Sequence, residues 1–91
     1  MAYHGSAAKR HRQSEKRRLR NRTARSKVRT ATKRFLSAVE AKDKDAATVG
    51  YKELTKLLDT AAGKGIYHKN NAARKKSRLH ARLAQLHTSE A

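Results

Sequence analysis

Between Lys9 and Arg34 the chain reads KRHRQSEKRRLRNRTARSKVRTATKR, and with neither proline nor glycine nothing in it forbids a helix. Thirteen of these 26 residues are Lys or Arg, and one, Glu15, is acidic. On a helix, residues three or four apart are neighbours. The pairs Arg12–Lys16, Lys16–Arg20, Arg18–Arg22, Arg25–Arg29 and Arg29–Lys33 therefore set like charges side by side, each destabilising by about 0.2–0.5 kcal/mol. Together they oppose the isolated helix by about 1–3 kcal/mol. Leu19 is the one large apolar residue before Val28, so the N-terminal half of the helix has no face to bury, and burial is what normally stabilises a helix. The expectation is an arm that frays alone and orders against a polyanion, whose phosphates would supply the missing counter-charge.

The rest of the composition sharpens this. Ninety-one residues make one small domain at most, burying a modest share of its surface. There is no cysteine, hence no disulfide and no thiolate metal site, which suits a reducing cytosol. No apolar run approaches the roughly 18 residues of a membrane span. The opening MAYHGSAAK lacks the apolar stretch of a secretory signal, so the chain is expected to act in the cytoplasm. The net charge is +17, a self-repulsion that works against a compact free state. Nucleic acid is the first candidate partner, an anionic membrane surface the second and an acidic protein the third. The charge is also uneven. Residues 1–34 carry +12, residues 35–63 carry −1 and residues 64–91 carry +6.

Alanine, leucine, lysine and arginine dominate and proline is absent, which favours helix throughout. Two breaks divide the chain into three helices. At AKDKD, Asp43 or Asp45 caps a following helix; at GKG, Gly63 or Gly65 ends one. Helix one, with Ser6 as its N-cap, is expected over about 7–40. Val28, Ala31, Phe35, Leu36 and Val39 form its single apolar stripe. Helix two is expected over about 45–62, with Ala47, Tyr51, Leu54, Leu57, Leu58 and Ala61 recurring at helical spacing. Gly50 inside it costs about 1 kcal/mol relative to alanine and would let another helix approach closely. Helix three is expected over about 68–87, its start left open between His68 and Asn70–Asn71, with Ala72, Leu79, Leu83 and Leu86 as its stripe and Ile66 anchoring the turn before it. Phe35, Val39, Leu54, Leu57, Leu58, Leu79, Leu83 and Leu86 read as core. Short connections make neighbouring helices antiparallel. The fold class is all-α: a three-helix bundle with a long basic N-terminal helix extending beyond the core, the near-neutral second helix facing outward or covering that core.

Small polar residues alternate with the bases of the arm: Gln13, Ser14, Asn21, Thr23, Ser26, Thr30 and Thr32. Such side chains bond phosphate and sugar oxygens as arginine does. Charge runs all round the rod, which suits an arm threaded among several nucleic-acid helices rather than laid on one surface. The aromatics are Tyr3, Phe35, Tyr51 and Tyr67. They make no row for stacking a single strand, so recognition of backbone and shape in folded RNA is expected.

Other classes fit less well. Asn21, Ala24 and Arg29 match a basic-zipper region, but the heptad from Leu36 meets Asp43 and Gly50 and fails. A membrane-surface helix needs an apolar face that residues 9–27 lack. His4, His11, His68, His80 and His87 include no pair at metal-ligand spacing. Neither a metal, a cofactor, a small-molecule substrate nor an enzyme activity is expected. A histone-like architectural DNA-binding protein remains the alternative.

The run SAAKRHRQSEKRRLRNRTARSKVRTATKR, then AKDKDAA, then GKGIYHKNNAARKKSRL resembles the family of the twentieth protein of the bacterial small ribosomal subunit. The likeness covers Ser6 to about Leu86, in order and without a large gap. It implies a three-helix bundle that binds small-subunit (16S) ribosomal RNA directly and early in assembly. In that family the long helix inserts among RNA helices of the 5′ domain and reaches the long helix of the 3′ minor domain. Carried over by the first motif, the RNA-binding role falls on Lys9, Arg10, Arg12, Gln13, Lys16, Arg17, Arg18, Arg20, Asn21, Arg25, Ser26, Arg29, Thr30 and Lys33. The second motif carries it to His68, Lys69, Asn70, Arg74 and Lys76. Arg22, Lys27, Lys64, Lys75, Arg78 and Arg82 join on charge alone. His4 and Gly5 stand where the family is often more basic, which leaves contacts before Ser6 open.

Overall fold

The computed structural model describes residues 2–88, and side chains from Ser6 to Thr88. Three helices follow in order: α1 (Ala2–Glu40), α2 (Lys44–Gly63) and α3 (Lys69–Thr88). They form the expected all-helical bundle with a long first helix. Ser6 is not an N-cap. It lies inside α1, because no proline or cap signal ahead of it stops the helix, and the side chains before it lie outside the described residues.

Both turns use the same hydrogen-bonded closure. At the end of α1, the Asp43 N–H donates to the Ala38 carbonyl (3.0 Å) and Lys42 to Val39 (3.1 Å), with Lys42 left-handed at φ 58°. At the end of α2, Ile66 donates to Ala61 (2.9 Å) and Gly65 to Ala62 (3.1 Å), with Gly65 at φ 76°. This pairing satisfies carbonyls that a helix end otherwise leaves open. Ile66 is buried, which makes the apolar contact that usually accompanies such a turn. Asp43 then caps α2, its carboxylate accepting from the Ala46 N–H at 3.1 Å. Asp45 instead sits in the first turn, where its charge favours the helix dipole. α3 begins after His68. The His68 carbonyl accepts from Asn71 (2.9 Å) and Ala72 (3.0 Å), and its ring Nδ1 accepts from the Asn70 N–H at 3.1 Å.

α2 is the middle of the bundle. It packs antiparallel against α1 on one side and α3 on the other, while α1 and α3 meet at few points. The expectation that α2 faces outward or covers the core is corrected by this: it lies between the other two helices, and its net charge does not reveal that it is apolar on two sides. Phe35, Leu54 and Leu58 are fully buried, and Val28, Ala31, Ala47, Leu83 and Leu86 complete the main cluster. Leu57, Leu79 and Val39 pack on its edge, half-buried, rather than inside it. Gly50 does lie against another helix. A Cβ there would stand 3.5 Å from the Phe35 Cα. Tyr51 joins the layers, its ring 5.9 Å from that of Phe35 on α1 and 5.7 Å from His80 on α3.

α1 outruns its partners. Its core contacts begin at Val28, and every described side chain from Ser6 to Arg20 is exposed. Thirty-nine residues at about 1.5 Å each give a rod of about 58 Å. The molecule accordingly measures 71 × 22 × 13 Å with a radius of gyration of 18.1 Å, against about 12 Å for a compact chain of this length.

Candidate nucleic-acid interface

α1 is one unbroken helix, so its bases are displayed at fixed helical spacing around the rod. Lys9, Arg10, Arg12, Gln13, Lys16, Arg17, Arg18 and Arg20 are all exposed, as are Arg22, Arg25, Ser26, Lys27, Arg29, Thr30 and Lys33 further along. Gln13, Lys16, Arg17 and Arg20 flank one shallow cleft on the rod itself. Glu15, the arm's one acid, lies 3.9 Å from Arg18 with both groups well exposed, a pairing too weak to offset its surroundings.

Three arm residues depart from the picture of freely offered polar groups. The hydroxyls of Thr23 and Thr32 donate back to the carbonyls of Leu19 (2.9 Å) and Val28 (2.7 Å). Their protons are thus turned into the helix, leaving only lone pairs outward. Asn21 is half-buried, and its Oδ1 is shielded without a hydrogen-bond partner.

The second motif lies around the start of α3, just after the turn that closes α2. His68, Lys69, Asn70 and Arg74 are exposed there, where the helix dipole favours an anion. Lys76 differs. Its Nζ donates to Asp59 Oδ1 at 2.8 Å. That hydrogen bond and the Asp59 charge hold the ammonium above its ordinary pKa of 10.5. Lys76 thus ties α3 to α2. Lys75 sits 5.8 Å over the Tyr67 ring.

Two grooves bring residues of different helices together. Along α1 and α3, Lys75, Arg78 and Arg82 stand over Val28, Thr32, Leu36 and Leu58 in a cleft of about 230 Å³. Along α1 and α2, Lys64 stands beside Lys16, Arg20 and Lys27. The charge-only residues therefore meet the arm, while Lys9, Arg10 and Arg12 lie on the stretch that projects past the bundle. Arg34, which neither motif singles out, is exposed on the α1–α2 groove; its place four residues after Thr30 and seven after Lys27 is the signal that would have found it. Among the described residues no three His, Asp or Glu side chains gather to hold a metal, and no helix is long and apolar enough to cross a membrane.

A helical bundle with a projecting rod, basic on all sides, has the form of a polyanion-binding protein. The model of the ribosomal protein S20 family matches residues 2–84, and the chain belongs to that family. Among its relatives are proteins named small ribosomal subunit protein bS20. That of Coxiella burnetii (strain Dugway 5J108-111) is 47% identical over 99% of this chain and 100% of its own length. That of Azotobacter vinelandii is 48% identical over the whole of both chains. The Treponema denticola protein is 54% identical over 81% of this chain and 83% of its own.

Proposed function

We propose that this protein is a structural, non-catalytic constituent of the small ribosomal subunit that binds 16S ribosomal RNA directly and stabilises its folded helices during assembly. The observation that carries the reading is the exposed rod. Every side chain of residues 6–20 is exposed, and the first 34 residues hold +12 of the total charge. Membership in a ribosomal protein family makes the chain a structural component, and its place of action is the ribosome in the cytoplasm.

The mechanism is charge neutralisation. Lys and Arg displace the counterions condensed on phosphates. The arm carries bases on every side, so it holds together RNA strands that would otherwise repel. Arg25, Arg29 and Lys33 form one exposed row, Lys16, Arg20 and Lys27 another, and the start of α3 supplies His68, Lys69, Asn70 and Arg74 some distance away. The bundle core fixes the spacing between these groups.

The test is binding of the full chain to RNA of the 16S 5′ domain at rising salt, with duplex DNA as competitor. For six or more phosphate contacts, affinity falls about 10³-fold or more between 50 and 200 mM salt. Arg25→Glu with Arg29→Glu weakens binding by several kcal/mol through like-charge repulsion and leaves stability unchanged, since both side chains are exposed. Salt-insensitive binding would defeat this reading, and preference for the DNA competitor would favour an architectural DNA-binding role.

A further inference from the structure

Leu19 is 65% exposed in the most highly charged part of α1. It borders a groove between α1 and α2 on the side away from α3. Two adjoining clefts of about 540 and about 420 Å³ run there, sharing Leu19, Thr23, Lys27 and Leu57. Each falls within the size range of sites that take small ligands. The groove has an apolar strip, Leu19 and Leu57, within a basic rim of Lys16, Arg20, Arg22, Arg34 and Lys64. Glu53 is the single acid lining either cleft.

Phosphate alone does not account for this arrangement. A rod that meets only backbone needs no apolar strip, and Leu19 contributes nothing to the bundle core. An unstacked nucleotide matches both parts, because it carries an anionic backbone and an apolar base face. Apolar side chains in nucleic-acid complexes lie against or between bases, and RNA is read where single bases are splayed from the helix. An unbroken duplex keeps its base faces stacked and offers the groove only its backbone.

We infer that the α1–α2 groove is a binding site for one unstacked RNA nucleotide. Its base packs on Leu19 and Leu57, and its flanking phosphates are held by Arg22, Lys27 and Lys64. The inference rests on the RNA-binding reading above and adds a local preference to it. Base-face contact is thus supplied by leucine, in a chain with no row of aromatics.

The test compares two RNA hairpins with identical stems, one interrupted by a single bulged nucleotide, by fluorescence anisotropy at fixed moderate salt. The wild-type chain binds the bulged hairpin about tenfold more tightly, as loss of one buried apolar contact predicts. Leu19→Ser brings the two affinities level while leaving that for the unbroken stem unchanged; its exposure makes the substitution neutral for folding. The chain has no tryptophan, so Leu19→Trp adds a unique reporter whose emission is quenched by the bulged hairpin and not by the unbroken one. Equal wild-type affinities, or a preference that survives in Leu19→Ser, overturn the inference. Failure of the wild-type chain to bind either hairpin at low salt would strike at the RNA-binding reading itself, and is distinguishable from parity.

Discussion

Lys42 is the one described residue other than glycine with positive φ, at 58°. Its Cβ is crowded there, at a cost of about 1–2 kcal/mol, yet the Asp43 and Lys42 hydrogen bonds that close α1 require that conformation. The equivalent position after α2 is Gly65, where no such cost arises. Lys42→Gly is therefore expected to stabilise the chain by about 0.5–1 kcal/mol, part of the gain being lost to the greater freedom of glycine in the unfolded chain. Urea denaturation measures this, and a lowered midpoint would mean that the lysine side chain itself holds the turn. The contrast also marks what was legible residue by residue. Asp43 as a cap and GKG as a stop follow from the chemistry of their side chains. Lys42 carries no signal, since a lysine in the left-handed region is dictated by the hydrogen bonds around it. His68 was ambiguous for a similar reason: its ring does the work of the usual Asn or Asp cap.

At the scale of the elements, the three helices were legible because their apolar residues recur at helical spacing between two clear breaks. Which helix lies in the middle was not. Net charge describes the surface of a helix and is silent on how many sides it buries. α2 presents Leu54, Leu58 and Ala61 as fully or almost fully buried positions, with Leu57 one residue away only half-buried. Periodicity cannot rank neighbours such as Leu57 and Leu58, because an apolar stripe broader than its contact has edges. The structure ranks them. Leu58→Ala opens a cavity between all three helices and should cost about 2–5 kcal/mol, a large part of the stability of a domain this small. Leu57→Ala removes an edge contact and should cost about 1 kcal/mol, since less of the side chain leaves water. Thermal or urea unfolding of the two variants checks the order, and equal losses would place Leu57 inside the core after all.

The whole molecule joins two parts stabilised by different means. From Val28 onward α1 is held by packing on α2. From Ser6 to Arg20 every side chain is exposed and none joins the core, and its like-charge neighbours oppose the helix by about 0.2–0.5 kcal/mol a pair. Helix propensity favours the rod, since arginine, lysine, alanine and glutamine are good helix formers, but isolated helical segments remain marginal in water. The unbroken α1 is thus the conformation the arm adopts, and its population depends on counter-charge. Salt screens exposed repulsions, and a polyanion replaces them with attraction. Circular dichroism of the full chain in low-salt buffer should therefore fall short of the signal of α1, α2 and α3 complete. The deficit should shrink as salt is added and close on titration with 16S RNA fragments. Near-ultraviolet tyrosine signals from Tyr51, wedged between Phe35 and His80, should stay constant throughout, because the bundle is already formed. Full helicity at low salt, indifferent to both additions, would mean that propensity alone sustains the rod and that RNA meets a preformed arm.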